Sequence, residues 1–112
     1  MIIEMRTYTL KPGGVQGFLG AFLEGLPARL QFSELGAFWH SEVGTLNQVI
    51  HVWPYESFEA RERIGQEARK TGKWPPKTHE FILTQESKIV VPAPFSPPLG
   101  KKKLGNIYEI RT

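Results

Sequence analysis

His40, Glu42, His51 and Trp53 fall in two strand-like runs, GAFWHSEVG (36–44) and NQVIHVWPYE (47–56), separated by Thr45 and Leu46. An imidazole titrates near neutral pH, so two of them beside a carboxylate can move protons, hold a metal or ligate haem iron. With Thr45 and Leu46 as a two-residue hairpin loop, His40 faces His51, Glu42 faces Val49 and Phe38 faces Trp53. Alternation then puts Phe38, His40, Glu42, Val49, His51 and Trp53 on one face, and Trp39, Ser41, Val43, Ile50 and Val52 on the other. In the opening run, IIEMRTYTL, Glu4, Arg6 and Tyr8 share a face. Matching polar to polar adds them to the histidines. The chemistry this suggests is proton transfer by His51, or by His40, on a molecule packed by Trp53, with Arg6 steadying an enolate-like anion. Each residue also has a structural reading. Glu4 and Arg6 are most simply an ion pair, the histidines hydrogen-bonded strand residues, and Phe38, Trp39 and Trp53 core or interface aromatics. A zinc site from His40, His51 and Glu42 is within reach, but nothing else in the spacing calls for it, and no metal is expected. Phosphate loops and G-x-S-x-G elbows are absent. Glu59, Glu62, Arg61 and Arg63 read as charges on a solvated helix face.

The elements that must position these groups follow from periodicity. Ile2 to Leu10 reads as a strand closed by KPGG. From Val15 the apolar residues recur at 15, 18, 19, 22, 26 and 30, which is helical spacing. Gly17, Gly20 and Gly25 weaken that helix, and Pro27 is expected to kink or interrupt it. Two strands of about ten residues follow, and Pro54 must end the second or lie unpaired. Ser57 is a candidate N-cap for a helix from Phe58 to about Lys70, with a thin stripe of Phe58, Ile64 and Ala68. EFILTQESKIVVPAPF supplies a fourth strand, and PAPFSPPLG leaves as an extended arm. The order β-α-β-β-α-β is ferredoxin-like, an α+β fold with an antiparallel sheet and both helices on one face. The apolar face with Trp39, Ile50 and Val52 is assigned to the helices, leaving the histidine face open. An open face needs cover, so a homodimer through it is expected, two sheets closing as a dimeric α/β barrel.

At 112 residues one domain is expected, and an apolar fraction of 40% supports a packed core. The formal charge of +3 owes much to the run Lys101 to Lys103. No basic stripe interleaved with aromatics suggests nucleic-acid binding. Cysteine is absent, which excludes disulfides and thiol nucleophiles. No apolar run approaches the roughly 20 residues of a membrane span. The chain opens directly on a strand, and a cytoplasmic location is expected.

Three stretches, MRTYTLKPG (5–13), GTLNQVIHVWPYES (44–57) and QESKIVVPAPFSPPL (85–99), together resemble the NIPSNAP family, a branch of the dimeric α/β-barrel superfamily. The resemblance implies the fold just derived, a homodimer and a cavity for a small hydrophobic or aromatic molecule. Related families imply cofactor-independent monooxygenase or isomerase activity; the alternatives are a non-catalytic binding or scaffold module, or a haem-binding protein. The family's motif positions imply a pocket of Arg6, Tyr8, Asn47, Gln48, His51, Trp53 and Gln85, to which the strand register adds His40 and Glu42. No cofactor is expected, haem standing as the alternative. Finally, IYEIRT (107–112) repeats IIEMRT (2–7) at four of six positions. Residues 1–100 therefore read as the domain, and 101–112 as an extension resembling the first strand of a second repeat. That strand is expected to dock on a sheet edge, most plausibly the partner's, or to be disordered beyond Lys103.

Overall fold

The computed structural model describes residues 1–99 and 104–112; the lysine run and the expected boundary at 100/101 lie outside these. β1 (Ile2–Leu10) leads through a turn at Gly13, whose φ of 80° suits glycine, into α1 (Val15–Leu30). β2 (Ala37–His40), β3 (Gln48–Tyr55), α2 (Phe58–Lys70) and β4 (Ile82–Val90) follow, with a single 3-10 turn at His79–Phe81 before the last strand. The sheet order is β2-β3-β1-β4 with every pairing antiparallel, so the fold is the ferredoxin-like α+β arrangement that the periodicity predicts.

Local chemistry explains where the helices begin and end. Ser57 caps α2: its Oγ accepts from the Ala60 N–H at 3.1 Å. α1 runs through Pro27 to Leu30 without the interruption that proline could have caused. Proline there removes one backbone donor in the last turn, where the helix is already ending. The glycines of α1 are points of close approach. A Cβ on Gly17 would lie 2.5 Å from the Phe81 ring, and one on Gly25 would lie 2.9 Å from the Lys73 carbonyl oxygen. Gly25→Ala is therefore expected to lower stability by about 1–3 kcal/mol, read from urea unfolding, despite alanine's better helix propensity.

Two sequence expectations are corrected here. The hairpin register is Phe38 with His51 and His40 with Val49, two residues from the expected one. His40 therefore does not face His51. The loop is longer than two residues because Gly44 and Asn47 turn with φ of 91° and 59°, and the Asn47 carbonyl is held by the Leu10 N–H at 2.7 Å. A slip of two leaves each side chain on the face it had.

The second correction concerns which face the helices cover. Phe18 and Phe22 of α1 pack on Tyr8, Phe38 and His51, so the histidine face is the covered one. The core is Leu10, Phe18, Phe22, Val49, Trp53 and Tyr55. The aromatic mass on the histidine face offers more area to bury than the aliphatic residues opposite. The polar groups of that face pair with one another beneath α2. The uncovered face has Ile3, Met5, Ile50 and Trp39 near its centre. Pro54 lies past the last β2 pair, Ala37 with Val52, so that side of β3 is unpaired there. Residues 104–112 form no strand; the Tyr108 ring lies 5.8 Å from that of Trp39, on the side away from the helices.

Candidate functional site

Between the sheet and its helices lies a cavity of about 490 Å³, within the range of small-molecule sites. β1 and β3 supply its floor, Tyr8, His51, Trp53 and Tyr55. Phe22 and Arg29 of α1, Arg61 and Gly65 of α2, and Trp74 to Pro76 complete the enclosure. Trp74 is wedged against Phe22 and Trp53, with ring centroids 5.7 and 6.0 Å away. The close approach of Gly25 to Lys73 lets this segment sit so near α1.

Of the residues singled out in the sequence, Arg6, Tyr8, His51, Trp53 and Gln85 meet around this cavity. The other four lie elsewhere. His40 and Glu42 are exposed at the end of β2 and in the following loop, 3.5 Å from each other. Asn47 belongs to the loop turn, and the Gln48 side chain donates to Thr9 Oγ1 at 3.0 Å on the uncovered face.

Glu4 organises one wall. It is 3% exposed and accepts from Arg61 Nε at 3.1 Å, Arg61 Nη2 at 2.9 Å, Arg6 Nη1 at 3.3 Å and Ser87 Oγ at 2.6 Å. Burial pushes its carboxyl upward, but the Arg61 and Ser87 hydrogen bonds and the charges of Arg6 and Arg61 outweigh burial, so the pKa falls below its ordinary value. The same contact raises the pKa of Arg61. Arg61 is thus no solvated charge, as its sequence context suggests, but reaches down onto β1. Residues 61, 64, 65 and 68 lie on one side of the helix, and Ala68 on that side is buried. Arg6 also donates through Nε to the Tyr8 hydroxyl at 2.9 Å, which orients that ring over the cavity floor.

His51 is held differently. The Trp53 indole N–H donates to His51 Nδ1 at 2.7 Å, so Nδ1 is unprotonated and Nε2 carries the proton. Nε2 is buried with no hydrogen-bond partner. Burial first, then the charges of Arg6 and Arg29, hold the His51 pKa down at about 3, against 6.5 for an ordinary histidine. The ring is thus neutral at physiological pH. A neutral ring held in one tautomer favours hydrogen-bond donation over the proton transfer expected of His51. Haem ligation fits poorly for the same reason. Iron would need the Nε2 lone pair, hence a proton on Nδ1, where Trp53 already donates. Among the described residues, no three acidic, histidine or cysteine side chains cluster for a metal ion.

Nothing in the chemistry of the sequence singles out Arg29, although 18, 22, 25 and 29 form one buried stripe of α1. It is 3% exposed, donates to Ser33 Oγ at 2.7 Å and Tyr55 Oη at 2.8 Å, and lies 4.1 Å from the Trp53 ring centroid. Tyr55 cannot neutralise it: burial pushes its phenol up in pKa more than Arg29 draws it down.

Sequence and structure comparisons agree with this architecture. The NIPSNAP family model matches residues 3–97. A NipSnap homologue of Dictyostelium discoideum is 39% identical over 92 residues, covering 80% of this chain and 41% of the relative. The chain thus spans less than half the length of that curated relative. An uncharacterised NIPSNAP domain protein from Burkholderia xenovorans is 33% identical, with a TM-score of 0.81 over 88% of this chain and 100% of that one. A Nitrosomonas europaea protein, described only provisionally as an antibiotic biosynthesis monooxygenase, superposes with a TM-score of 0.61 at 9% identity over 82% of this chain and 98% of that one, a likeness of fold alone.

Proposed function

This chain belongs to the NIPSNAP family, and we propose that it binds a small, flat, hydrophobic or aromatic molecule in the cavity between its sheet and helices. One observation carries this reading. The floor of a preformed cavity of about 490 Å³ contains His51, whose ring is locked by Trp53 while its Nε2–H is left without an acceptor. A preformed space of that volume, lined by rings and fixed polar groups, fits a site kept for binding better than a filled core. Tyr8, Phe22, Trp53 and Trp74 supply ring faces and edges for an aromatic guest. The chemistry that such a lining favours is stabilisation of an enolate-like anion by Arg6, as in cofactor-independent oxygenation or isomerisation. His51 takes no proton in it near neutral pH.

Gly65 provides the test. It lies on α2 in the cavity wall, and a Cβ there meets only the flexible end of Arg69, at 3.3 Å. Gly65→Ala is expected to stabilise the protein by about 0.5–1 kcal/mol through helix propensity. Gly65→Phe, which fills the space, is expected to keep the fold and abolish quenching of tryptophan fluorescence by 2-naphthamide. Quenching that survives in Gly65→Phe contradicts the assignment of the cavity. A failure of unaltered protein to bind favours a scaffold role instead.

The uncovered face, with Ile3, Met5, Ile50 and Trp39 under no helix, supports the second part of the proposal: a homodimer closing two sheets into a barrel. The Tyr108 ring, 5.8 Å from that of Trp39, supports a role for the C-terminal residues at that interface. Removal of residues 101–112 is expected to raise the dimer dissociation constant about tenfold, equivalent to about 1.4 kcal/mol, in sedimentation equilibrium. An unchanged constant removes the tail from the interface.

A further inference from the structure

We propose that the molecule bound in this cavity is an aromatic carboxylate, and that Arg29 is the residue that pairs with its charge. The inference rests on the ligand-binding reading above and narrows it to a substrate class. Charge balance comes first. Arg6, Arg29, Arg61 and Arg69 line the cavity against Glu4 and Glu62, four cations to two anions, an excess of two positive charges. Among the three arginines nearest the floor the positive charge is not evenly spent. Arg6 and Arg61 both engage Glu4, whose oxygens also accept from Ser87. Arg29 has only neutral partners, the Ser33 and Tyr55 hydroxyls and the face of Trp53. No described carboxylate lies within ion-pair distance of it.

A guanidinium only 3% exposed and lacking a counter-ion is expensive, and hydroxyls with a ring face offset only part of that penalty. Two of its five N–H donors are used by Ser33 and Tyr55, which leaves others for a planar carboxylate. The position suits an aromatic acid. Arg29 lies over Trp53, and Trp53 touches Trp74 and holds His51, so these rings form one continuous floor. An aromatic body can rest among these rings while its carboxylate meets Arg29. The two cationic groups flanking His51, Arg6 through Tyr8 and Arg29 through Trp53, add a field of the same sign.

The test compares 2-naphthoate with 2-naphthamide, which differ in charge but hardly in shape, by calorimetric titration at low salt. In the unaltered protein naphthoate is expected to bind at least tenfold more tightly. Arg29→Gln is expected to bring the two affinities together by weakening naphthoate alone, and Arg29→Lys to restore part of the preference. Equal binding of both ligands to the unaltered protein overturns the proposal while leaving the cavity reading intact. No binding of either overturns both. A naphthoate preference that persists undiminished in Arg29→Gln removes the role of Arg29; should that variant not fold, the same result in Arg29→Met, which keeps a long stem without the charge, is enough to remove it.

Discussion

Acidification from pH 6.5 to pH 4.5 will lower the stability of this protein by about 2.3 kcal/mol through His51 alone. The sign follows from the direction of its shift. In the unfolded chain His51 takes up a proton near its ordinary pKa of 6.5, but in the folded protein only near about 3. The unfolded state binds the extra proton throughout that window, so stability is fully present above pH 6.5 and falls by about 1.4 kcal/mol per unit below it. Below pH 4.5 Glu4 adds its own share. Its folded pKa is depressed, so the stability it gives is present above its unfolded value and is lost on further acidification. Guanidinium unfolding at half-unit steps of pH, with His51→Gln alongside, separates the two. The variant should lose the slope between pH 6.5 and 4.5 and keep the fall beneath it. A slope shared equally by both proteins would mean that His51 is not buried neutral.

Much of this site could be read from the sequence, and what could not has physical causes. The element order, the Ser57 cap and the shared face of Glu4, Arg6, Tyr8, His51 and Trp53 all follow from periodicity, because a strand's alternation survives a register slip of two. His40 was lost from the site because the loop turns at Gly44 and Asn47 rather than at Thr45 and Leu46. Counting polar residues misassigned the faces: Glu4, Arg6 and His51 look solvent-directed in sequence, yet Glu4 is held under the helices by Arg61 and Ser87 from far along the chain, and Arg6 and His51 pair with side chains two residues away on the same face. Arg29 and Arg61 were hidden for the same reason. A charged residue on an apolar stripe reads as an interruption until its partner, Tyr55 or Glu4, is brought beneath it.

Glu4→Gln is expected to cost about 3 kcal/mol at pH 7, the low end for breaking a buried pair, because Arg6 and Arg61 are each about a third exposed and can be rehydrated. An amide can satisfy only part of this set. It offers one oxygen where the carboxylate serves four hydrogen bonds, and its NH₂ would be turned toward guanidinium or Ser87 donors. Arg61→Met should cost less, since Arg6 and Ser87 still hold the carboxylate. In the double variant the costs should fall short of their sum, because each single change removes the same contact. Urea unfolding at pH 7 gives all three values. Strictly additive costs would show that Arg61 and Glu4 do not interact in solution as they do here.

The placement of the ligand on the helix side of the sheet can be tested through the three tryptophans. Trp53 and Trp74 line the cavity, whereas Trp39 lies on the opposite face against Tyr108. Their indole N–H resonances, recorded in ¹⁵N-labelled protein during titration with 2-naphthamide, report each environment separately. The signals of Trp53 and Trp74 are expected to move and that of Trp39 to stay. Movement of Trp39 with Trp53 and Trp74 unmoved would place the site on the uncovered face and contradict the cavity.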